Sequence, residues 1–225
     1  MNLNADFTKR ALVHSAEEPW VPSPMPGVDR RMLDRIGDEV ARATSIVRYA
    51  PGSSFSSHVH TGGEEFYVLD GVFQDEHGDF PKGSYIRNPP GSSHTPGSEP
   101  GCTIFVKLWQ FDMADRTHVR VATDKMRFIA TDAGVDVMSL YSDAREDVVQ
   151  ERWAPGATVA LANHNGTEIL CLKGGFDEGG DSLKPESWLR LPNGHASTAT
   201  AGPKGATLWI KRNHLAEPPR APTTI

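Results

Sequence analysis

The sequence is poor in cysteine, in long apolar runs and in positive charge. It contains 2 cysteines among 225 residues, and its formal net charge is −6. Because an acidic chain is repelled by nucleic acid and by anionic membrane surfaces, we expect neither as its main partner. No apolar run approaches the roughly 20 residues that a membrane-spanning helix requires.

The first residues also lack the pattern of a secretory signal peptide, because no charged segment is followed by an apolar one. Cys102 and Cys171 each lie in a short apolar run, and neither belongs to a C-x-x-C pair. This placement predicts buried, reduced core thiols. We therefore expect a cytoplasmic protein, and a homodimer is one assembly that it could form.

Helix-period patterns are scarce, whereas turn signals are frequent. The chain has 21 glycines and 17 prolines, and short runs rich in Val, Ile, Phe, Tyr, Trp and Thr lie between them. Such punctuation is typical of antiparallel β-structure that closes into a sandwich or barrel. Segment 28–36 would allow a helical turn, but its counterpart at 135–141 is β-rich, so we predict a strand. The first 20 residues or so predict an extended arm packed on the surface.

The second half of the chain repeats the first. Four segments recur in the same order: Arg48–Gly52 as Arg152–Gly156, Glu65–Phe73 as Glu168–Phe176, Tyr85–Gly91 as Trp188–Gly194, and Thr103–Lys107 as Thr207–Lys211. Conserved order with small gaps is the mark of an internal duplication. The polar stretch 110–118 is interpreted as a linker, so we predict two domains, 1–117 and 118–225.

Four side chains of the first copy have the spacing of a metal site. His58 and His60 are two residues apart, so on a strand both imidazoles face the same way. Glu64 follows a Gly-Gly turn at the start of the next strand, and His94 follows the turn at Pro89–Gly91. Imidazole nitrogens and carboxylate oxygens are good ligands for first-row divalent metals. We predict that these four residues bind one divalent transition metal.

Glu65 competes with Glu64 for the ligand role. Adjacent residues of a strand face opposite sides of the sheet, so only one of them can point at the metal. The spacing back from Gly71 favours Glu64, and we expect Glu65 to point outward or to be hydrogen-bonded.

The second copy has lost most of these ligands. The four ligand positions are occupied, in order, by Ala162, His164, Thr167 and Ser197. Glu168 lies one residue after its expected position and His195 two residues before. Two interpretations therefore stay open for the second copy. Either His164, Glu168 and His195 form a looser second metal site, or the second barrel is purely structural.

The ligand spacing matches two signature motifs. They read Gly52-x5-His58-x-His60-x3-Glu64-x6-Gly71 and Gly83-x5-Pro89-x-Gly91-x2-His94. These are the fixed positions of the cupin motifs, except that Ser98 replaces the final asparagine. The chain resembles the cupin superfamily, which implies an all-β fold of two tandem jelly-roll barrels, a bicupin.

The residues that flank the motifs resemble one cupin group more closely than the others. Segments Pro22–Val28, Ile46–Ser53, Gly62–Phe66 and Arg87–His94 are similar to the ChrR-type cupin, the C-terminal domain of ChrR zinc anti-sigma factors. The resemblance is close over residues 20–112 and weaker over 120–214. It implies that His58, His60, Glu64 and His94 hold a metal, zinc first, although iron, manganese and nickel accept the same donors.

The resemblance to ChrR anti-sigma factors does not extend to sigma-factor binding. ChrR anti-sigma factors bind their sigma factor through a separate N-terminal helical module with its own Cys/His zinc site. Here the segment before the cupin is short, rich in proline and without cysteine, and its one histidine is His14. We therefore do not expect a sigma factor as the partner.

Three functions remain open from the sequence. The first is a metal-dependent sensory or regulatory protein, and the second is an Fe(II)-dependent cupin dioxygenase acting on a small diketone or aromatic ketone. A bicupin isomerase or sugar-binding protein is the third. Each predicts a small-molecule ligand in the first barrel. Tyr67, Tyr85 and Arg87 are candidates to line its pocket, with core packing as the alternative for both tyrosines.

Overall fold

The structure is a computed structural model that describes residues 1–38, 40–131, 134–162 and 165–222. These residues form β-strands, tight turns and two short 3-10 helices at Ser15–Glu17 and Thr123–Lys125. None of the helices in this part of the chain is long and apolar enough to cross a membrane. The prediction of an all-β protein is confirmed.

The strands are numbered in chain order. Those of the first half are β1 (Asn2–Leu3), β2 (Ala11–His14), β3 (Val21–Pro22), β4 (Val28–Gly37), β5 (Ala41–Tyr49), β6 (Ser53–Ser54), β7 (His58–His60), β8 (Glu64–Asp75), β9 (Gly78–Pro81), β10 (Ser84–Asn88), β11 (Ser92–His94), β12 (Gly97–Ser98) and β13 (Cys102–Leu108). Those that follow are β14 (Val119–Ala122), β15 (Ile129–Ala130), β16 (Val135–Ser142), β17 (Asp147–Trp153), β18 (Thr158–Leu161), β19 (Thr167–Glu178), β20 (Asp181–Leu183), β21 (Ser187–Leu191) and β22 (Ser197–Arg212).

The chain forms two compact units, and the first is built mainly from Pro19–Lys125 with Met1–Ala5. Its main sheet has the order β1-β4-β5-β13-β8-β10-β14, while β7 and β11 form a separate two-stranded sheet. All the pairs are antiparallel. The side chains that alternate inward on these strands make an apolar core: Phe66, Val68, Phe73, Ile86, Ile104 and Val106.

The second unit comprises Asp6–Glu18 and Met126–Pro219. Its sheet has the order β15-β16-β17-β22-β19-β21-β2, so β16, β17, β22, β19 and β21 repeat the order of β4, β5, β13, β8 and β10. Its core contains Trp153, Phe176, Leu208 and Ile210. The two tandem jelly-roll barrels that the duplication predicts are therefore present.

Two segments differ from their sequence-based predictions. The N-terminal arm is not merely extended, because Ala11–His14 forms β2 and pairs with β21. The first unit runs on past the predicted linker to Lys125, because β14 pairs with β10. The compact units therefore do not coincide with 1–117 and 118–225, a division that stays a prediction about the duplicated sequence. The strand predicted over 28–36 is confirmed as β4.

Both cysteines are free and buried, as their apolar surroundings predicted. Burial raises the pKa of the Cys102 thiol to about 11 and that of Cys171 to about 12. At neutral pH both thiols are therefore protonated and poorly nucleophilic in the folded protein.

Candidate metal centre

Three imidazoles meet where β7 and β11 pair. The two strands are antiparallel, with His58 opposite His94 and His60 opposite Ser92. His58 and His60 share one face because they are two residues apart. One ring nitrogen from each of the three histidines lies within 4.8 Å of the others. The structure thus brings together the three histidines that the motif spacing singled out.

The turn between β7 and β8 directs Glu64 back to this cluster. Gly63 has φ +78°, a left-handed conformation that glycine adopts without steric cost. A Cβ atom at Gly62 would lie 2.0 Å from the ring of Trp109, so only glycine fits against that side chain. The chain can therefore reverse tightly, and Glu64 begins the next strand beside the histidines.

The Glu64 carboxylate lies among the imidazole nitrogens. Its Oε2 atom is 3.4 Å from His60 Nε2 and 3.6 Å from His94 Nε2. Asn88, on the neighbouring strand β10, donates its Nδ2 hydrogen to the same oxygen at 3.3 Å. A side-chain amide thus holds the carboxylate in the orientation that faces the two ring nitrogens.

The electrostatic surroundings of the histidines differ. His60 and His94 are buried, whereas His58 is exposed. Burial lowers the pKa of His60, and the nearby Glu64 charge offsets this only in part. Burial would also lower the pKa of His94, but its hydrogen bond to Asp75 and the charges of Glu64 and Asp75 outweigh burial and raise it. Neutral His60 is suited to donate a lone pair, and its Nε2 has no hydrogen-bond partner among the described residues.

Asp75 orients His94 from behind. Its Oδ2 atom accepts a hydrogen bond from His94 Nδ1 at 3.1 Å, which leaves Nε2 free to face the cluster. Burial would raise the pKa of Asp75, but the hydrogen bonds from His94 and from the His77 backbone N–H lower it overall. A carboxylate that fixes the tautomer of a ligating histidine is a recurrent feature of metal sites.

We expect Asp75→Asn to reduce the metal affinity of the protein by about 10- to 100-fold, because outer-shell partners of ligating histidines contribute on that scale. The measurement is competition for zinc against a chelator of known affinity. Asp79→Asn is the matched control, since Asp79 is an exposed residue whose carboxylate accepts a hydrogen bond from Gln74 within the β8–β9 hairpin. Equal affinities for the two variants would contradict an orienting role for Asp75.

A cavity of about 320 Å³ adjoins the cluster inside the first unit. Its walls come from β4, β5, β13 and the Gly62–Gly63 turn, and they include Arg30, Tyr49, Leu108 and Trp109. Burial, together with the Glu64 charge, raises the pKa of Tyr49 above its ordinary value, so this phenol stays protonated. The cavity therefore joins mostly apolar walls to a cluster of metal-type donors.

The residues predicted from the sequence to line the pocket do not line this cavity. Because Glu64 faces inward, alternation places Glu65 and Tyr67 on the opposite face of the sheet. Tyr85 donates its hydroxyl hydrogen to Glu65 Oε1 at 2.6 Å, as a buried pair. Arg87 is also buried and forms an ion pair with Asp115 at 3.1 Å. These side chains support the fold and do not contact the cavity.

The second copy shows why its displaced residues do not rebuild the cluster. Glu168 lies opposite Arg190 just as Glu65 lies opposite Arg87, so Glu168 occupies the outward position. His195 Nε2 lies instead 3.8 Å from Glu178. His164 lies outside the described residues. Within the described part of the chain, the metal-type cluster found is that of the first barrel.

Comparison with known proteins gives a family. The sequence model of the ChrR cupin-like domain matches residues 8–112 and again residues 116–216. No curated protein matches the chain. The two matched segments correspond to the two copies of the duplicated sequence.

Solved structures share the fold at low sequence identity. A Nostoc punctiforme protein described as a candidate dioxygenase has a TM-score of 0.73 at 16% identity, over 100% of this chain and 86% of that one. Escherichia coli YlbA gives 0.71 at 14% identity, over 93% of each chain. The Escherichia coli pirin YhhW, in complex with nickel(II), gives 0.65 at 15% identity, over 91% of this chain and 99% of that one. At such identities the similarity shows the fold alone.

Proposed function

The chain belongs to the ChrR cupin-like domain family, and we propose that it is a divalent-metal enzyme acting on a small organic molecule in its first barrel. The observation that carries the proposal is the cavity of about 320 Å³ that opens onto the cluster of imidazoles and carboxylate. A closed structural metal site has no need of such a cavity, whereas a catalytic site must admit its substrate beside the metal.

The donors of the cluster fit a divalent cation. Ligand atoms bound at about 2.1 Å in a tetrahedral arrangement lie about 3.4 Å apart. Glu64 Oε2 lies 3.4 Å from one imidazole nitrogen and 3.6 Å from another. His60 Nε2 is buried without a hydrogen bond among the described residues, which is unfavourable unless a ligand satisfies it. We propose His58, His60, Glu64 and His94 as the ligands.

The other residues of the site prepare it for a substrate. The apolar side chains of β13 line the cavity, and exposed His58 marks the side from which a small molecule can enter. Protonated Tyr49 offers a hydroxyl donor to a substrate oxygen. A divalent metal held there would supply Lewis acidity and, as iron, oxygen activation.

The proposed reaction is oxygen-dependent cleavage of a small diketone or aromatic ketone. It is supported by the arrangement of three histidines and one carboxylate around a substrate-sized cavity. The Nostoc punctiforme neighbour is described as a candidate dioxygenase, and the pirin neighbour binds nickel(II), so proteins of this fold hold divalent metals. Zinc remains the metal that we expect in protein as isolated.

The test has two stages. Elemental analysis of the purified full chain is expected to give about one divalent metal per chain. The iron-loaded protein is then incubated with a panel of diketones and aromatic ketones while oxygen uptake is recorded. Metal-free protein that cannot be loaded would overturn the site. A loaded protein that consumes no oxygen with any compound would overturn the reaction.

A sensory or regulatory role is the second candidate, and the match to the ChrR cupin-like family favours it. In that role the same cavity binds a small molecule without converting it. The two stages above separate the candidates, because a sensor would bind metal and change its melting temperature with ligands while leaving oxygen unconsumed.

A further inference from the structure

The cavity beside the cluster has a cationic side. Arg30 and Arg35, both on β4, line the same cavity as His58, His60 and Glu64. Glu64 is the one carboxylate among the described residues that line it. The cavity therefore carries an excess of positive charge even before a metal is bound.

A β-bulge places the two arginines on one face. In a regular strand, residues five apart would face opposite sides of the sheet. The register between β4 and β5 shifts between Met32 and Asp34, so one extra residue is accommodated there. As a result Arg30 lies opposite Val47 and Arg35 lies opposite Ala43. Both of those β5 residues line the cavity, which confirms that the two guanidinium groups share its face.

Arg30 differs from the nearby arginines in the interactions that its guanidinium group makes. Arg31 packs over the ring of Trp20 at 4.1 Å, and Arg48 pairs with Asp29 at 2.7 Å. Arg30 is half-buried, and its Nε has no hydrogen-bond partner among the described residues. Partial burial of a cation carries a desolvation cost, and an anion beside Arg30 would offset that cost.

Arg35 adds a second donor group at the same wall. It is buried and bonds to the backbone carbonyls of Gly37 and Asp38. Burial and then the nearby Arg30 charge lower the pKa of Arg35, and the Asp38 carboxylate offsets this only in part. A bound anion would add to that offset.

Much of the remaining wall is apolar. Val28, Val47, Ile104, Val106 and Leu108 line it, beside a few hydroxyl side chains. A volume of about 320 Å³ is at the lower end of the range for small-molecule sites. The occupant should therefore be small and should have one anionic end and an apolar body.

We infer that the first-barrel cavity binds a small organic carboxylate, whose acid group pairs with Arg30 and Arg35 while its apolar body packs against β13. This inference rests on the proposed function and adds an acid group to the small ketone that it names as the substrate. Guanidinium groups pair with carboxylates through two parallel hydrogen bonds, which gives both affinity and orientation. The opposite end of the ligand then faces the cluster of histidines and Glu64.

The experiment compares 4-methylpentanoate with its neutral analogue 4-methylpentanamide by calorimetry, on zinc-loaded and on metal-free full-length protein. We expect the carboxylate to bind about 10- to 100-fold more tightly than the amide, the range of a charge-assisted hydrogen bond. Arg30→Met should abolish this preference, and Arg30→Lys should retain part of it. Arg120→Met, at an exposed arginine on β14, should keep it in full. Arg35→Met replaces Arg30→Met if the latter melts at a much lower temperature.

The inference would be overturned by equal binding of acid and amide, by a preference that survives both Arg30→Met and Arg35→Met, or by equally tight binding of inorganic phosphate. Binding that depends on zinc and not on Arg30 is direct coordination to the metal, and it too would overturn the inference while leaving the proposed function intact. Failure to load zinc would overturn the proposed function instead, and the metal-free titration would still test the arginines.

Discussion

His60→Ala is expected to lose the metal that the unsubstituted protein carries at about one equivalent per chain. His60 Nε2 is the buried nitrogen that lies 3.4 Å from Glu64 and has no hydrogen bond among the described residues. Its removal should lower the metal affinity by more than about 100-fold, beyond the upper end of what loss of an outer-shell partner costs. The measurement is the metal content after dialysis against a weak chelator.

His118→Ala is the matched control, because His118 is an exposed histidine of the same unit. It should keep its metal. Glu64→Gln separates charge from shape, since it preserves the volume of the side chain while removing the anionic ligand. If His60→Ala and His118→Ala retain metal equally, the four-residue ligand set is wrong.

The geometry of this cluster was largely predictable because each step is short-range. Strand alternation alone places His58 and His60 on one face, and the Gly62–Gly63 turn returns the chain at Glu64. Counting back from Gly71 separated Glu64 from Glu65, and the hydrogen bond from Tyr85 shows Glu65 on the other face. The ligand role of the cluster remains a prediction until a metal is measured.

What the sequence did not reveal depends on bulges and on long-range pairing. The register of β8 shifts between Val68 and Asp70, and this change of phase turns Asp75 inward to His94. The bulge in β4 does the same for Arg35. A single extra residue reverses which side chains face inward, and simple alternation cannot locate it. By contrast, alternation from Glu64 could have excluded Tyr67 from the pocket.

The pairing partner of a short strand is equally hidden in the sequence. β2 lies in the first matched repeat, 8–112, yet pairs with β21, whereas β14 lies in the second repeat, 116–216, yet pairs with β10. The two pairings use equivalent registers, because Ala11 lies opposite Arg190 and Val119 lies opposite Arg87. The duplicated sequences therefore exchange their first strands. A strand of four residues carries too little sequence pattern to predict which strand it pairs with.

Separate expression of residues 1–117 and 118–225 is expected to give two fragments that do not fold stably, whereas the mixed fragments should recover cooperative unfolding. The first fragment lacks β14, and the second lacks β2. Without β14, one edge of β10 (Ser84–Asn88) has no pairing strand, and without β2 the same is true of β21 (Ser187–Leu191). All residues of both strands are buried. Unpaired backbone groups on such an edge promote aggregation. Circular dichroism melts of each fragment and of the mixture make the measurement.

The 118–225 fragment also loses the partner of a buried charge. We therefore expect it to be less stable than the 1–117 fragment. Glu178 is buried, and Arg10 pairs with it at 2.9 Å. Loss of Arg10 leaves the buried Glu178 carboxylate without this partner, which lowers a free energy of unfolding that is only roughly 5–15 kcal/mol in a typical domain. A synthetic peptide of residues 6–18 restores both β2 and Arg10, so it should raise the melting temperature of the 118–225 fragment. A scrambled peptide should not. A fragment that folds equally well without the peptide would show that β2 is dispensable, and the exchange of strands would then carry little of the stability.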